Sequence, residues 1–186
     1  MAGSLIKALC RAFYFFVHPL RVEGKETLPE SGAYILALNH QNFRDAIVGL
    51  LLSRDDARTM AKKELFENKF TDGFFRRLGA FPVDRGNVDM AALRLSMQVL
   101  SEGHPLVIFP EGHRFEDGEI HEIKGGAILI AMRTGAPIYP ARIRTSYRPF
   151  APVKIKIGSP MTIDRARGSE ALTEGAEALK KRMEAL

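Results

Sequence analysis

Apolar residues along this chain fall into short unbroken runs, and amphipathic stretches separate them. Tyr34-Ile-Leu-Ala-Leu38 and Leu106-Val-Ile-Phe109 are apolar at every position, the pattern of strands covered on both faces. Arg58–Ala61, Phe81–Val83 and Pro137–Ile143 read as extended. Val153-Lys-Ile-Lys-Ile157 alternates strictly, which predicts a strand with one wet face near a sheet edge. Helical signals lie between these runs. Asp45 opens an apolar stretch to Leu52, Glu64–Leu78 is a broken helix, and Val88–Leu100 puts Leu93, Met97 and Leu100 on one face. Lys124–Thr134 is closed by Gly135 as a left-handed cap, and Leu172, Ala176, Leu179, Met183 and Leu186 form a final amphipathic helix. Strands alternating with helices predict an α/β fold: a single domain with a mostly parallel or mixed sheet, covered by helices on both faces. The chain shows no internal repeat, low-complexity tract or interior linker.

Residues 4–20 stand apart from that alternation. The longest apolar run, Ala12–Val17, is far short of the roughly 20 residues of a spanning helix. No small-residue cleavage pattern follows it, so a signal peptide is not expected. On a helix, Leu5, Leu9, Ala12, Phe13 and Phe16 share one broad face. Lys7, Arg11 and Arg21 are basic, and no acid precedes Glu23. This composition predicts an interfacial helix over residues 1–21, aromatics toward lipid and cations toward lipid phosphates, ahead of an α/β domain over 22–186. The competing expectation is that the aromatic face packs on its own domain.

Composition narrows the field. At 186 residues, 46% hydrophobic and 26% charged, the chain is an ordinary globular domain. Its lone cysteine, Cys10, excludes an internal disulfide and a cysteine-based zinc site, and a reducing compartment fits. A net charge of +5 suits an anionic partner: a phosphate, a nucleic acid or a membrane surface.

Polar clusters follow the two apolar strands, at the strand-to-helix turns where α/β folds bind ligands. The first is Asn39-His40-Gln-Asn-Phe-Arg-Asp45; the second is Pro110-Glu111-Gly112-His113-Arg114. A third, Asp84-Arg85-Gly86, follows Phe81-Pro-Val83. His40 and Asp45 are five residues apart, so on one continuous helix they point about 140° apart. They meet only if His40 sits in the turn and Asp45 in the first helical turn. Asp45 then fixes the imidazole tautomer and leaves the other nitrogen as a base. No Ser or Cys occupies a strand-to-helix elbow, so such a base would activate a hydroxyl on a substrate.

Four blocks occur in order: Asn39-His40-x4-Asp45, Gly79-Ala-Phe-Pro-Val-Asp-Arg85, Phe109-Pro-Glu-Gly-x-Arg114 and Ala136-Pro-Ile-Tyr-Pro140. Together they resemble the motif blocks of the glycerolipid (lysophospholipid) acyltransferase family, typified by 1-acyl-glycerol-3-phosphate acyltransferases, over residues 22–160. The resemblance implies transfer of a fatty acyl group from an acyl-CoA or acyl carrier protein thioester to the free hydroxyl of a lysophospholipid, with lysophosphatidic acid giving phosphatidic acid as the expected reaction. It implies His40 as base and Asp45 as its partner. Arg85, Glu111 and Arg114 would shape the acceptor site and hold its phosphate, and Lys124 matches a basic position after the third block. Backbone amides near Asp45 or Gly112 are candidates for the developing oxyanion. No metal or cofactor is implied, and the expected location is peripheral, on the cytoplasmic face of a membrane. Where the family pattern has Thr and Ser around the arginine of the third block, this chain has His113 and Phe115. Asn42 replaces a frequent Ser in the first block. These positions would line the acceptor site, so an ornithine-type lysolipid or a lysophospholipid-remodelling role stays open, as does a non-catalytic lipid-binding module.

Other chemistries fit less well. Glu111, His113, His121 and Glu122 offer metal-ligand side chains, but their segment reads as a turn and lacks an HExxH pattern. Arg142, Arg144, Arg148, Lys154 and Lys156 form an acid-free basic stretch without a nucleic-acid recognition motif, and no nucleic-acid partner is expected.

Overall fold

The computed structural model describes residues 2–83, 90–164 and 170–186. Among them the chain builds one mixed sheet of seven strands and six α-helices, in the alternating order the apolar runs predict. The strands are β1 (Leu20–Glu23), β2 (Ile35–Leu38), β3 (Arg58–Lys62), β4 (Ala80–Val83), β5 (Leu106–Ile108), β6 (Ile138–Arg144) and β7 (Val153–Ile157). The helices are α1 (Ala2–Val17), α2 (Arg44–Leu52), α3 (Lys69–Leu78), α4 (Met90–Ser101), α5 (Gly125–Thr134) and α6 (Glu170–Glu184). Strand order is β1-β7-β6-β2-β5-β3-β4, and only the β6–β7 pair is antiparallel. β2 and β5 are central and buried at every position, which is why their sequences carry no polar alternation.

One core lies on each side of the sheet. Leu36, Leu38, Val48, Leu51, Val107 and Ile143 pack with Tyr14 on the α1–α2 side. Ile35, Leu106, Ile128, Ile138, Leu179 and Met183 pack on the α5–α6 side. Gly49 sets how closely α2 approaches the sheet: a Cβ there would stand 2.6 Å from Val107 Cγ1 and 2.8 Å from Leu38 Cδ1. That approach seats the start of α2 against the end of β2.

Two features depart from the sequence expectations, β1 and the packing of α1. β1 escapes notice in the sequence because it is four residues long and gains its ladder only by pairing in parallel with β7. It makes β7 the second strand from the edge, and Lys154 and Lys156 keep the wet face the alternation predicts. The expected helix start at Val88 lies outside the described residues, as does Arg85. In α1 the expected division of labour is inverted. Lys7 is 2% exposed and donates to the Asp55 carbonyl, and Arg11 pairs with the Asp55 carboxylate at 2.8 Å. Lys7 is therefore spent on the domain interior, and Arg11 is engaged by a surface carboxylate of the domain. Ile6, Cys10 and Tyr14 join the core, whereas Phe15 and Phe16 are 74% and 71% exposed. The expectation that the aromatic face packs inward fails for those two rings, because the inward face is already filled by Tyr14 and the lysine stem.

Gly49→Ala should drive a methyl group into Val107 and Leu38 and destabilise the fold by about 1–3 kcal/mol, the usual cost of overpacking. Urea denaturation followed by circular dichroism measures it; an unchanged midpoint would show that α2 can lift from the sheet at little cost.

Candidate functional site

The carboxyl ends of β6, β2 and β5 lie side by side, and the first two polar clusters leave the sheet there. Asn39 directly follows β2 and is fully buried. Its Nδ2 donates to the Ile143 carbonyl at 3.1 Å and its Oδ1 accepts from the Ile143 N–H at 2.6 Å. Gln41 Nε2 donates to the same carbonyl at 2.8 Å. These bonds extend the β2–β6 pairing past the last strand residue and hold the turn that carries His40.

Asp45 lies in the first turn of α2, and His40 in the turn before it, as their meeting requires. His40 Nδ1 is 3.1 Å from Asp45 Oδ2. A carboxylate only accepts, so Nδ1 carries the proton and Nε2 is the basic nitrogen of the neutral ring. Among the described residues Nε2 has no hydrogen-bond partner. The ring stacks on Phe109, centroids 4.2 Å apart and planes at 24°. Asp45 is fully buried, and its Oδ2 also accepts from the Gln41 and Asn42 amides, each at 2.6 Å. Its other oxygen, Oδ1, accepts from the Tyr147 hydroxyl. An ionised carboxylate is tolerable in the interior because donors surround it.

Glu111 is buried as well, and both its oxygens go to backbone. Oε2 accepts from the His40 N–H at 2.9 Å and Oε1 from the His121 N–H at 3.0 Å. The residue expected to help shape the acceptor site ties the loop after β5 to the turn after β2 through its bond to the His40 amide. The Phe115 N–H adds a second tie by donating to the His40 carbonyl at 2.8 Å. No helix begins near Gly112. The segment between β5 and α5 is a loop, and Gly112 adopts φ 74° in it with the Lys124 side chain folded over its Cα. The Gly112 amide donates to the Phe109 carbonyl and the Asp45 amide to the Asn42 carbonyl, so these two amides are already committed. Lys124 Nζ lies 3.4 Å from His113 Nε2, and Lys124, His113 and Arg114 are exposed.

A cavity of about 390 Å³ opens beside His40, walled by Phe109, Ile47, Leu50, Met60, Phe74 and Leu78, with Arg114 also on its lining. His40, Arg114, Lys62 and Thr59 thus border a mostly apolar space, which suits a substrate with a polar head and a hydrocarbon tail. Glu111 and His121 do not converge as metal ligands: Glu111 is spent on amides and His121 Nε2 pairs with Asp117 at 2.8 Å. Sequence reasoning missed Tyr147 altogether, since 102 positions separate it from Asp45 and no local pattern marks it. It also missed the pairing of Asn39 with Ile143 and the stacking of Phe109, although both residues stand inside quoted blocks.

Residues 19–144 match the family model described as Acyltransferase. A 1-acyl-sn-glycerol-3-phosphate acyltransferase of Bacillus subtilis (strain 168) is 34% identical over 176 residues, covering 90% of this chain and 87% of that protein. A protein of the same name from Streptococcus pneumoniae is 35% identical over 109 residues, 58% of this chain and 40% of its own length. The crystal structure of the 1-acyl-sn-glycerophosphate (LPA) acyltransferase of Thermotoga maritima superposes with a TM-score of 0.76 at 28% identity, covering 98% of this chain and 78% of that one.

His40→Ala should lower kcat for thioester-dependent transfer by roughly two to four powers of ten, the usual contribution of a general base. Asp45→Asn should cost a similar amount or less, because it disturbs the tautomer and the imidazolium. Steady-state turnover of folded variants measures both; wild-type-like kcat in His40→Ala would remove the imidazole from the chemistry.

Proposed function

The chain belongs to the acyltransferase family, and we propose that it acylates the free hydroxyl of lysophosphatidic acid to give phosphatidic acid, with acyl-CoA or acyl carrier protein as the thioester donor. It is an enzyme of acyl transfer and of phospholipid biosynthesis. The observation that carries the substrate reading is His40, held by the buried Asp45, on the wall of a mostly apolar cavity that also presents Arg114.

In the proposed reaction, His40 Nε2 takes the proton of the acceptor hydroxyl as its oxygen attacks the thioester carbonyl. The tetrahedral intermediate collapses, the carbon–sulfur bond breaks, and the imidazolium returns the proton to the leaving thiolate. Asp45 holds the imidazole in the productive tautomer and offsets its positive charge. A thioester is already activated, so positioning and charge stabilisation supply the rest. Arg114 and Lys124 are the described cations placed to hold the phosphate; Arg85 belongs to the same proposal but lies outside the described residues. Glu111 supports the frame, as its backbone bonds indicate. Gly112 contributes the turn that lets Lys124 fold close, and no step calls for a metal or cofactor.

The acceptor lives in a bilayer, and we assign the outer face of α1 to that surface, on the cytoplasmic side and without crossing. Among the described residues no helix is long and apolar enough to span a membrane. Leu5, Leu9, Phe13, Phe15 and Phe16 stand exposed along α1, and Phe43 stands exposed on the cavity lining. Such a set matches the apolar side of an interfacial helix. With Lys7 buried and Arg11 paired to Asp55, attraction to anionic lipid falls mainly to other cations, and the aromatics carry the anchoring.

A panel of purified lysolipids and thioesters tests the substrate assignment, with lysophosphatidic acid expected to turn over fastest; an ornithine lysolipid or a neutral lysophospholipid in first place would replace it. On that panel Arg114→Ala should raise KM for the phosphate-bearing acceptor about tenfold or more, while KM for the donor stays near wild type. Equal change for both would make Arg114 a structural residue. Phe13, Phe15 and Phe16 changed together to Ser should abolish co-sedimentation with anionic vesicles and leave the circular dichroism spectrum intact. Deleting residues 1–18 should instead unfold the protein, because Tyr14 and Lys7 are part of its interior.

A further inference from the structure

Tyr147 stands in the crossing from β6 to β7 and has φ 50°, a left-handed conformation that a bulky aromatic residue adopts only when its surroundings impose it. What imposes it is visible. The Tyr147 N–H donates to Thr145 Oγ1 at 3.1 Å, and its carbonyl accepts from Arg44 Nη1 at 3.4 Å. The Arg44 guanidinium lies 5.5 Å from the ring centroid, and the His18 ring meets it edge-on at 6.0 Å. Three residues further on, the Phe150 N–H donates to the Val17 carbonyl at 2.8 Å and fastens the crossing to the end of α1. All of this backbone constraint aims one hydroxyl at one oxygen.

That oxygen is Asp45 Oδ1. The His40 ring and the Gln41 and Asn42 amides all donate to Oδ2, so among the described residues Tyr147 is the only side-chain donor to Oδ1. We propose that Tyr147 is a positioning residue for the acyl-transfer reaction: its hydroxyl locks the plane of the Asp45 carboxylate and shares its negative charge, and so sets how strongly Asp45 holds a proton on His40. The inference rests on the reading of His40 as the base.

The physical consequence has a sign. Burial, and then the negative charge of Asp45, push the Tyr147 phenol well above its ordinary range, so the group remains a neutral donor across the working pH. Removing it leaves Oδ1 buried without that donor and concentrates the carboxylate's charge on the bond to His40. A more strongly held imidazolium means fewer enzyme molecules with a free base at a given pH. Other ionisable groups around the pair stay in place. Glu111 binds the His40 amide, Arg114 lines the same cavity, and Arg44 leads into Asp45. From α1, Tyr14 donates to the Arg44 carbonyl, and His18 Nε2 accepts from Arg44 Nη1.

The test is the pH dependence of kcat and kcat/KM for wild type, Tyr147→Phe and Tyr14→Phe, with lysophosphatidic acid and an acyl thioester. Tyr147→Phe should lower kcat roughly tenfold, the effect of one hydrogen bond to a charged group, with little change in either KM. Its acid limb should move to higher pH. Tyr14→Phe removes a hydroxyl from the same ring cluster without touching Asp45, and its limb should stay in place. Replacing Tyr147 by 3-fluorotyrosine, a stronger donor of the same shape, should move the limb the opposite way, and it decides the matter if Tyr147→Phe fails to fold. A Tyr147→Phe profile superposable on wild type, or a fluorotyrosine enzyme with an unmoved limb, overturns the inference. Measuring His40→Ala alongside separates the two readings: its inactivity beside an unshifted Tyr147→Phe overturns Tyr147 alone, whereas an active His40→Ala overturns the base itself.

Discussion

A buried, ionised carboxylate organises this protein's site. Asp45 is withdrawn from water at the start of α2, and a lone carboxylate there would cost several kcal/mol. The chain offsets that cost by curling residues 40–42 around Oδ2 and bringing Tyr147 from a distant loop to Oδ1. One of the four donors that satisfy the charge is the His40 ring, which that bond orients. Stability of the turn and orientation of the imidazole are therefore one property, because both rest on the same carboxylate.

The sheet makes that arrangement possible. β2 leads into His40, β5 into Glu111 and β6 into the Ile143 carbonyl and the Tyr147 crossing, and the three strands are parallel neighbours. Their ends are therefore held in register by backbone ladders buried on both faces. Asn39 and Glu111 extend this rigidity into the loops through side chains that imitate backbone pairing. The cavity sits on the α2–α3 side of these ends, so a hydrocarbon chain placed in it would bring its reacting end to His40.

α1 carries the other physical theme. A helix of an ordinary domain turns apolar residues inward and cations outward; here Lys7 and Arg11 anchor to Asp55 while Leu5, Leu9, Phe15 and Phe16 face out. Burial of the lysine stem is tolerated because its ammonium reaches a carbonyl, although desolvation still disfavours its charge. An apolar surface left open at such expense calls for a partner, and the similarity to lysophosphatidic acid acyltransferases is in keeping with a lipid one.

The sequence alone determined the α/β class, the wet face of β7, the final helix and the meeting of His40 with Asp45, because each rests on local information: periodicity, a cap, or five residues of spacing. It also determined the family, through four ordered blocks that similarity to known proteins bears out. The tertiary structure decided what local pattern cannot encode. β1 exists because β7 lies beside it; Glu111 faces two amides because the loop after β5 folds back over the turn after β2; Lys7 points inward because Asp55 waits there. Tyr147 reaches Asp45 across 102 positions because β6 runs next to β2. In each case the deciding contact lies between segments far apart in the chain, where charge, burial and register are properties of the pair and neither segment carries them alone.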